Sequence, residues 1–165
     1  MELKKWAYAY TSDLATYANN KKIADNLRDS FPYPYTQADA RQFIEFCMGA
    51  PESRELNRAI VFGGRAIGSV GLRIGDDIYA KSAEIGYWLA EEYWGHGFAT
   101  QAVKEMCRIA FEQCGMERVY AHVFSYNTAS CKVLERCAFA MEGVLRNAVY
   151  KNGQLYSAYL YSKIR

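Results

Sequence analysis

The sequence predicts an α+β fold, a mixed and mostly antiparallel sheet of six to seven strands flanked by about four helices. Three observations carry that prediction. Residues 82–114, SAEIGYWLAEEYWGHGFATQAVKEMCRIAFEQC, read as strand, glycine loop and amphipathic helix in direct succession. Gly63-Gly64 and Asn152-Gly153 each interrupt a β-rich run, as two-residue hairpin turns do. The chain of 165 residues, 51% hydrophobic and free of repeats or low-complexity tracts, fits one domain with a sizeable core.

Taken in order, residues from about Leu3 to Tyr10 form a first strand. Ser12 or Asp13 can cap a helix through Leu14, Tyr17 and Ala18 that continues loosely toward Leu27. FPYPYT follows; its two prolines bar a helix and present Phe31, Tyr33 and Tyr35 on a stiff loop. Thr36 with Asp39 makes an N-cap arrangement for a helix through Ala40, Phe43, Ile44 and Cys47, which Pro51 ends. Strands on either side of Gly63-Gly64 come next, with Gly68 and Gly71 marking a bulge or close packing by a neighbour. A turn at Gly75-Asp76-Asp77 leads into the strand from Ser82 to Ala90, where apolar Ala83, Ile85, Tyr87 and Leu89 alternate with Ser82, Glu84, Gly86 and Trp88. The helix after the glycine loop carries Ala99, Ala102, Val103, Met106, Ala110 and Cys114 on one face. Arg118 to Phe124 is a further strand and Asn127 to Cys137 a short helix. The last two strands span roughly Phe139 to Tyr150 and Gln154 to Ile164.

The loop Trp94-Gly95-His96-Gly97-Phe98-Ala99 opens a helix whose first turn has unpaired N–H groups and a positive dipole end, a seat for phosphate. Gly95 and Gly97 let the backbone approach an anion closely, and Ala99 keeps the first turn slim. This stretch resembles the pyrophosphate loop of the Gcn5-related N-acetyltransferase (GNAT) superfamily, Arg/Gln-x-x-Gly-x-Gly/Ala, with Trp94, Gly97 and Ala99 at the patterned positions. The aromatic at Trp94 and the run YWGHGFAT resemble the branch of ribosomal-protein alanine and serine N-terminal acetyltransferases. Asn127-x-x-Ser130-x-x-Val133-Leu134-Glu135, followed by Arg136, Cys137, Ala138 and Phe139, is similar to a second family segment, with Ala138 replacing the usual glycine. The resemblance runs from end to end. It implies the acyl-CoA N-acyltransferase fold, residues 1–165 as a single N-acetyltransferase domain, and acetyl-CoA as co-substrate with no metal.

Site roles follow as implications of that resemblance. The cofactor side comprises Trp88, Leu89, Gly95, His96, Gly97, Phe98, Ala99, Thr100, Asn127 and Ser130, with Asn127 bonding the pantetheine arm and Ser130 near the thioester sulfur. Taken by themselves, Asn127 reads equally as a helix cap and Ser130 as a first-turn residue. Glu84, a carboxylate within a mainly apolar strand, is the candidate base, acting directly or through water. The helix tyrosine that many members use as acid is Leu134 here, which leaves Ser130, Tyr126 or solvent. Arg28, Phe31, Tyr33, Tyr35 and Glu84 are expected on the acceptor side, with the final hairpin, and suit a peptide terminus, a polyamine or a small aromatic amine. The absence of a strong acidic cluster speaks against polyamines.

Composition excludes several other classes. A formal charge of +2 gives no general pull toward nucleic acid or an anionic membrane. The five cysteines form no CxxC pair, against a disulfide framework or a zinc ribbon, and His96 and His122 are the only histidines. Without an apolar run of membrane-spanning length or a signal peptide, a soluble cytoplasmic protein, monomer or homodimer, is expected. A dinucleotide fold is the rival enzyme class, since Gly95-x-Gly97-x-x-Thr100 imitates part of GxGxxG. Against it, Glu117 precedes the next strand and the strands before the loop look like hairpins. A non-catalytic acyl-CoA sensor or scaffold is the other rival, which turnover would separate.

Overall fold

The structure, a computed structural model, describes all residues from Met1 to Arg165. Its order is β1 (Glu2–Lys4), α1 (Thr11–Ala18), α2 (Lys21–Ala24), α3 (Gln37–Gly49), β2 (Glu55–Phe62), β3 (Arg65–Ile74), β4 (Ser82–Leu89), α4 (Phe98–Glu112), β5 (Arg118–Phe124), α5 (Thr128–Arg136), β6 (Ala140–Lys151) and β7 (Gln154–Ile164). The strands form one seven-stranded sheet in the order β1-β2-β3-β4-β5-β7-β6. Only β4 and β5 run parallel, and all other neighbours are antiparallel. That arrangement excludes the dinucleotide alternative, which needs successive parallel crossovers.

The two faces of the sheet differ. Leu56, Ile60, Val70, Leu72, Ile85, Leu89, Val119 and Val123 pack with Val103, Met106 and Leu134 of α4 and α5 in the larger core. On the opposite face Ala59, Val61 and Ala66 pack with Leu14, Ala40 and Ile44 of α1 and α3. The alternation of β4 therefore serves both sides: Ile85, Tyr87 and Leu89 face α4 and α5, while Glu84, Gly86 and Trp88 face the side of α1 and α3.

The N-terminal third departs from the sequence expectation. The first strand stops at Lys4, because Trp6, 4% exposed, turns into the core against Tyr10 and Phe43 with ring centroids at 6.2 and 5.5 Å. Neither Ser12 nor Asp13 caps α1, which starts at Thr11. The Asp13 carboxylate instead accepts from Arg65 Nε at 2.9 Å and from the Ala66 N–H at 3.0 Å, tying α1 to the β2–β3 hairpin. The helix also does not run on to Leu27: it breaks at Asn19-Asn20, where Asn20 caps α2 by accepting from Lys22 N–H at 2.8 Å. By contrast, Thr36 and Asp39 form the expected reciprocal capping box of α3.

Gly68 and Gly71 mark both a bulge and close packing. The β2–β3 register shifts beside Gly68, and a Cβ at Gly71 would lie 2.0 Å from Asn57 Oδ1. At the end of α5, Ala138, which stands where the family segment has glycine, adopts φ 62° in the left-handed region that glycine enters more readily.

Candidate active site

The site begins where two strands part. β4 and β5 are paired only at Ser82↔Arg118, Ala83↔Val119 and Glu84↔Tyr120. Beyond Glu84, β4 stays with β3 as far as Leu89 while β5 stays with β7 as far as Phe124. The backbone edge of β4 from Ile85 to Leu89 is thereby left open to whatever lies in the gap. Two cavities meet there, sharing Asn26, Leu27, Tyr87 and Trp88 as common walls.

The first cavity, about 360 Å³, lies between the start of α4 and the start of α5. Trp88, Leu89, Gly95, Gly97, Phe98, Ala99, Thr100, Asn127 and Ser130 line it, so the structure gathers these separated sequence positions into one cleft. His96 is not part of its lining. Gly95 and Gly97 have φ of 80° and 81°, a conformation that costs any residue with a Cβ. The Trp94 indole donates to Leu89 O at 2.7 Å and so pins the loop to the end of β4, a role its patterned position alone did not disclose. The first N–H groups of α4 face a cleft whose rim carries Lys22, Lys132 and Arg136, which extends the anion-binding character beyond the helix dipole.

On the far wall, Asn127 caps α5 by accepting from Ser130 N–H at 3.1 Å, which commits Oδ1 and leaves the amide nitrogen for a ligand. Ser130 Oγ lies 2.7 Å from the Tyr87 hydroxyl. Burial pushes the Tyr87 phenol well above its ordinary value, so it stays protonated and available as a donor. Tyr87 thus brings a phenol from strand β4 to Ser130, while the helix position the family fills with tyrosine is Leu134 here. Sequence reading placed Tyr87 correctly on the apolar face of the strand and missed its hydroxyl partner, since the partner comes from α5.

The second cavity, about 310 Å³, covers the other face of β4. Glu84 stands at its mouth. Arg28 Nη2 donates to Glu84 Oε1 and Oε2 at 2.9 and 3.0 Å, and His122 Nδ1 lies 3.0 Å from Oε1. Burial pushes the Glu84 carboxyl up, but the hydrogen bond from His122 and the charge of Arg28 outweigh it and hold the group below the usual carboxylate range. An ionised carboxylate only accepts, so Nδ1 of His122 is the donor in this hydrogen bond. The sequence weighed His122 only as a metal ligand, because Tyr120, and with it His122, reaches the Glu84 face only through the parallel β4–β5 register.

Phe31 and Tyr35 line this cavity together with Arg28, whereas Tyr33 lies outside it with 52% of its surface exposed. Tyr35 is 6% exposed and Phe31 packs against both Tyr35 and Trp88, at 4.9 and 5.9 Å between ring centroids. Tyr126, the phenol the sequence offered for acid catalysis, instead packs edge to face with Tyr156 at 4.6 Å between ring centroids and donates to Asp25 O, and it lines neither cavity.

Comparison with known proteins places this geometry. Residues 1–140 match the family model described as the acetyltransferase (GNAT) domain. The uncharacterized N-acetyltransferase YoaA of Bacillus subtilis is 38% identical over 85 residues, 52% of this chain and 48% of that protein. The ribosomal-protein-serine acetyltransferase of Escherichia coli is 32% identical over 84 residues, 51% of this chain and 47% of that protein. Each of these two alignments thus spans about half the relative's length. Among solved structures, the microcin C7 self-immunity acetyltransferase MccE, in complex with acetyl-CoA and AMP, is 27% identical with a TM-score of 0.87, covering 99% of this chain and 91% of that one.

Proposed function

The chain belongs to the acetyltransferase (GNAT) family, and from that premise we propose that residues 1–165 act as a single domain moving an acetyl group from acetyl-CoA to a primary amine, by direct attack while both substrates are bound. The observation that carries this reading is the meeting of two cavities at Tyr87 and Trp88, where β4 leaves β5. One cavity offers glycine backbone and helix N-termini to a pyrophosphate; the other offers a carboxylate and an imidazole to an amine. An acetyl thioester at the junction is reachable from both sides, and no covalent acetyl-enzyme is required.

Each step has a group suited to it. An amine that arrives protonated must lose a proton before it attacks. Glu84 alone, held below the usual carboxylate range, is a weak base for that task. Glu84 and His122 together serve better: the carboxylate orients the ring through Nδ1, and Nε2 of the imidazole in its neutral form takes the proton, directly or through water. The unpaired N–H groups on the open edge of β4, near Trp88 and Leu89, are placed to polarise the acetyl carbonyl and to stabilise the oxyanion. The departing thiolate meets Ser130, whose hydroxyl hydrogen-bonds it while accepting from the Tyr87 phenol through their 2.7 Å contact; the phenol keeps its proton, and the thiolate takes its own from solvent. Acetyl-CoA in the MccE complex supports the cofactor assignment.

Calorimetry with acetyl-CoA tests the loop assignment. Gly97→Val puts a branched side chain at φ 81° and in the path of the anion. Acetyl-CoA affinity should fall by at least about tenfold, together with a stability loss of roughly 1–2 kcal/mol from the left-handed backbone. Parental affinity in the variant would remove the pyrophosphate from this loop, and absence of turnover with every amine would leave an acyl-CoA-binding protein without transferase activity.

A further inference from the structure

The cavity on the acceptor side extends far past the proton-transfer groups. From Glu84 it runs across the sheet over Gly86, Gly71 and Asn57, three strands wide. Its floor is a pair of glycines in register, Gly71↔Gly86, at the centre of the sheet. They differ in what they permit. A Cβ on Gly71 would collide with Asn57 Oδ1 at 2.0 Å, so that glycine seats the carboxamide against the floor. A Cβ on Gly86 meets no heavy atom within 4 Å, and the residue is solvent-exposed although it sits mid-strand. Space over Gly86 is therefore not demanded by packing; it is cavity.

The walls are flat and aromatic. Phe31, Tyr35, Phe43, Trp88 and Phe124 surround the floor, and the polar groups at the far end are Asn57 and Ser69. The charges on the rim are already matched, Glu84 with Arg28 and His122, and Glu55 with Arg73 at 2.9 Å. A polycation would find no free carboxylate there. The volume, about 310 Å³, lies at the lower end of the range of small-molecule pockets, roughly 300–1,000 Å³, and suits one ring system better than a length of peptide. Gly86 follows Glu84 by two strand residues, roughly 7 Å.

We propose that this chamber selects the acceptor, taking a primary amine that carries a flat aromatic group two or three bonds from its nitrogen. The inference rests on the acetyl-transfer reading of the adjoining cleft and adds the acceptor class to it. The amine nitrogen lies beside Glu84 and His122, the ring lies over Gly86 against the Phe31 and Trp88 wall, and a ring hydroxyl or ring nitrogen reaches Asn57. A small arylalkylamine and a peptide with N-terminal phenylalanine or tyrosine share this chemistry, and both belong in the test.

The test is a competition of acceptors on the parent and on Gly86→Ala and Gly86→Leu, with thiol release as readout. 2-Phenylethylamine and a peptide with N-terminal Phe are set against ethylamine and a peptide with N-terminal Ser. The parent should favour the aromatic member of each pair in kcat/KM by at least about tenfold, the worth of a well-filled apolar pocket. Preference for phenylethylamine alone identifies a small-molecule acceptor, and preference for the Phe peptide as well identifies a chain terminus. Gly86→Ala should reduce the aromatic-to-small ratio and Gly86→Leu should abolish it, while calorimetric acetyl-CoA affinity certifies the fold of each variant. A parent that prefers ethylamine or the Ser peptide overturns the proposal, as does a ratio that survives Gly86→Leu. Loss of acetyl-CoA binding or of all amine turnover in the parent would instead sink the transferase reading itself, and the chamber assignment with it.

Discussion

At the scale of single residues, the site is two hydrogen-bonded pairs facing each other across β4. In the mechanism proposed above, Glu84 with His122 handles the proton of the amine, and Tyr87 with Ser130 faces the departing thiolate. Glu84→Gln keeps size and hydrogen bonding but loses the charge that orients the imidazole, so kcat should fall by roughly 10²-fold; His122→Gln should fall at least as far. Equal rates for His122→Gln and parent across pH 6 to 9 would return the proton to Glu84 or to water. Because Glu84 titrates below the usual 4.5, it is ionised throughout that range, and a rise in kcat/KM between pH 5 and 8 cannot belong to it. The same shift has a stability consequence. A carboxyl whose folded pKa is depressed stabilises the fold fully above its unfolded value near 4.5, and loses that contribution as pH falls through the lower folded value. The melting-temperature gap between parent and Glu84→Gln should therefore be widest above pH 5 and close on acidification. A gap independent of pH would mean that Arg28 and His122 do not hold the carboxylate in solution. On the other side of the strand, Tyr87→Phe should lower kcat by up to about 10²-fold while acetyl-CoA affinity holds. A similar loss of affinity would make the phenol a wall of the cleft only.

At the scale of elements, the local signals were strong where backbone chemistry is local. The glycine loop, the Thr36–Asp39 capping box, both glycine hairpin turns and the strand alternation of β4 are written within a few residues each. What needed the assembled sheet was not written there. The Glu84–His122 pair depends on a three-residue parallel register, the Tyr87–Ser130 contact on where α5 lands, and the early end of β1 on the burial of Trp6. The proline loop illustrates both outcomes. Phe31, Tyr33 and Tyr35 are equivalent in sequence, yet only Phe31 and Tyr35 reach the acceptor cavity. Tyr35→Ala should cost about 3–5 kcal/mol of stability from a side chain 6% exposed, whereas Tyr33→Ala should change stability by less than about 0.5 kcal/mol and leave acceptor KM alone. Urea denaturation and acceptor kinetics on the two variants check this, and a raised KM for Tyr33→Ala would contradict it. The end of α5 offers a gain instead. Ala138 at φ 62° carries left-handed strain, so Ala138→Gly should stabilise the protein by up to about 1 kcal/mol, less whatever glycine adds to unfolded-chain entropy. An unchanged or lower denaturation midpoint would mean that the strain is already relieved.

At the scale of the whole molecule, one departure organises everything: a sheet that is continuous except where β4 and β5 separate after Glu84. The parting opens a cleft on the face of α4 and α5, proposed above for acetyl-CoA, and a chamber on the face of α1 and α3, proposed for the amine, with β4 as the wall between them. Its end-to-end order of strands and helices was readable from periodicity, turns and the two resembling segments, because each is a local pattern. The site's two-sidedness was not, because it is a property of the gap. In the proposed reaction both substrates occupy that gap together and the amine attacks the thioester directly. The measurement that tests it most directly is a two-substrate initial-rate matrix, with acetyl-CoA and a turned-over amine varied against each other and thiol release compared with acetylated amine formed. Intersecting double-reciprocal lines, with one acetylated amine per thiol, are the predicted result; parallel lines, the mark of a covalent acetyl-enzyme, would contradict it.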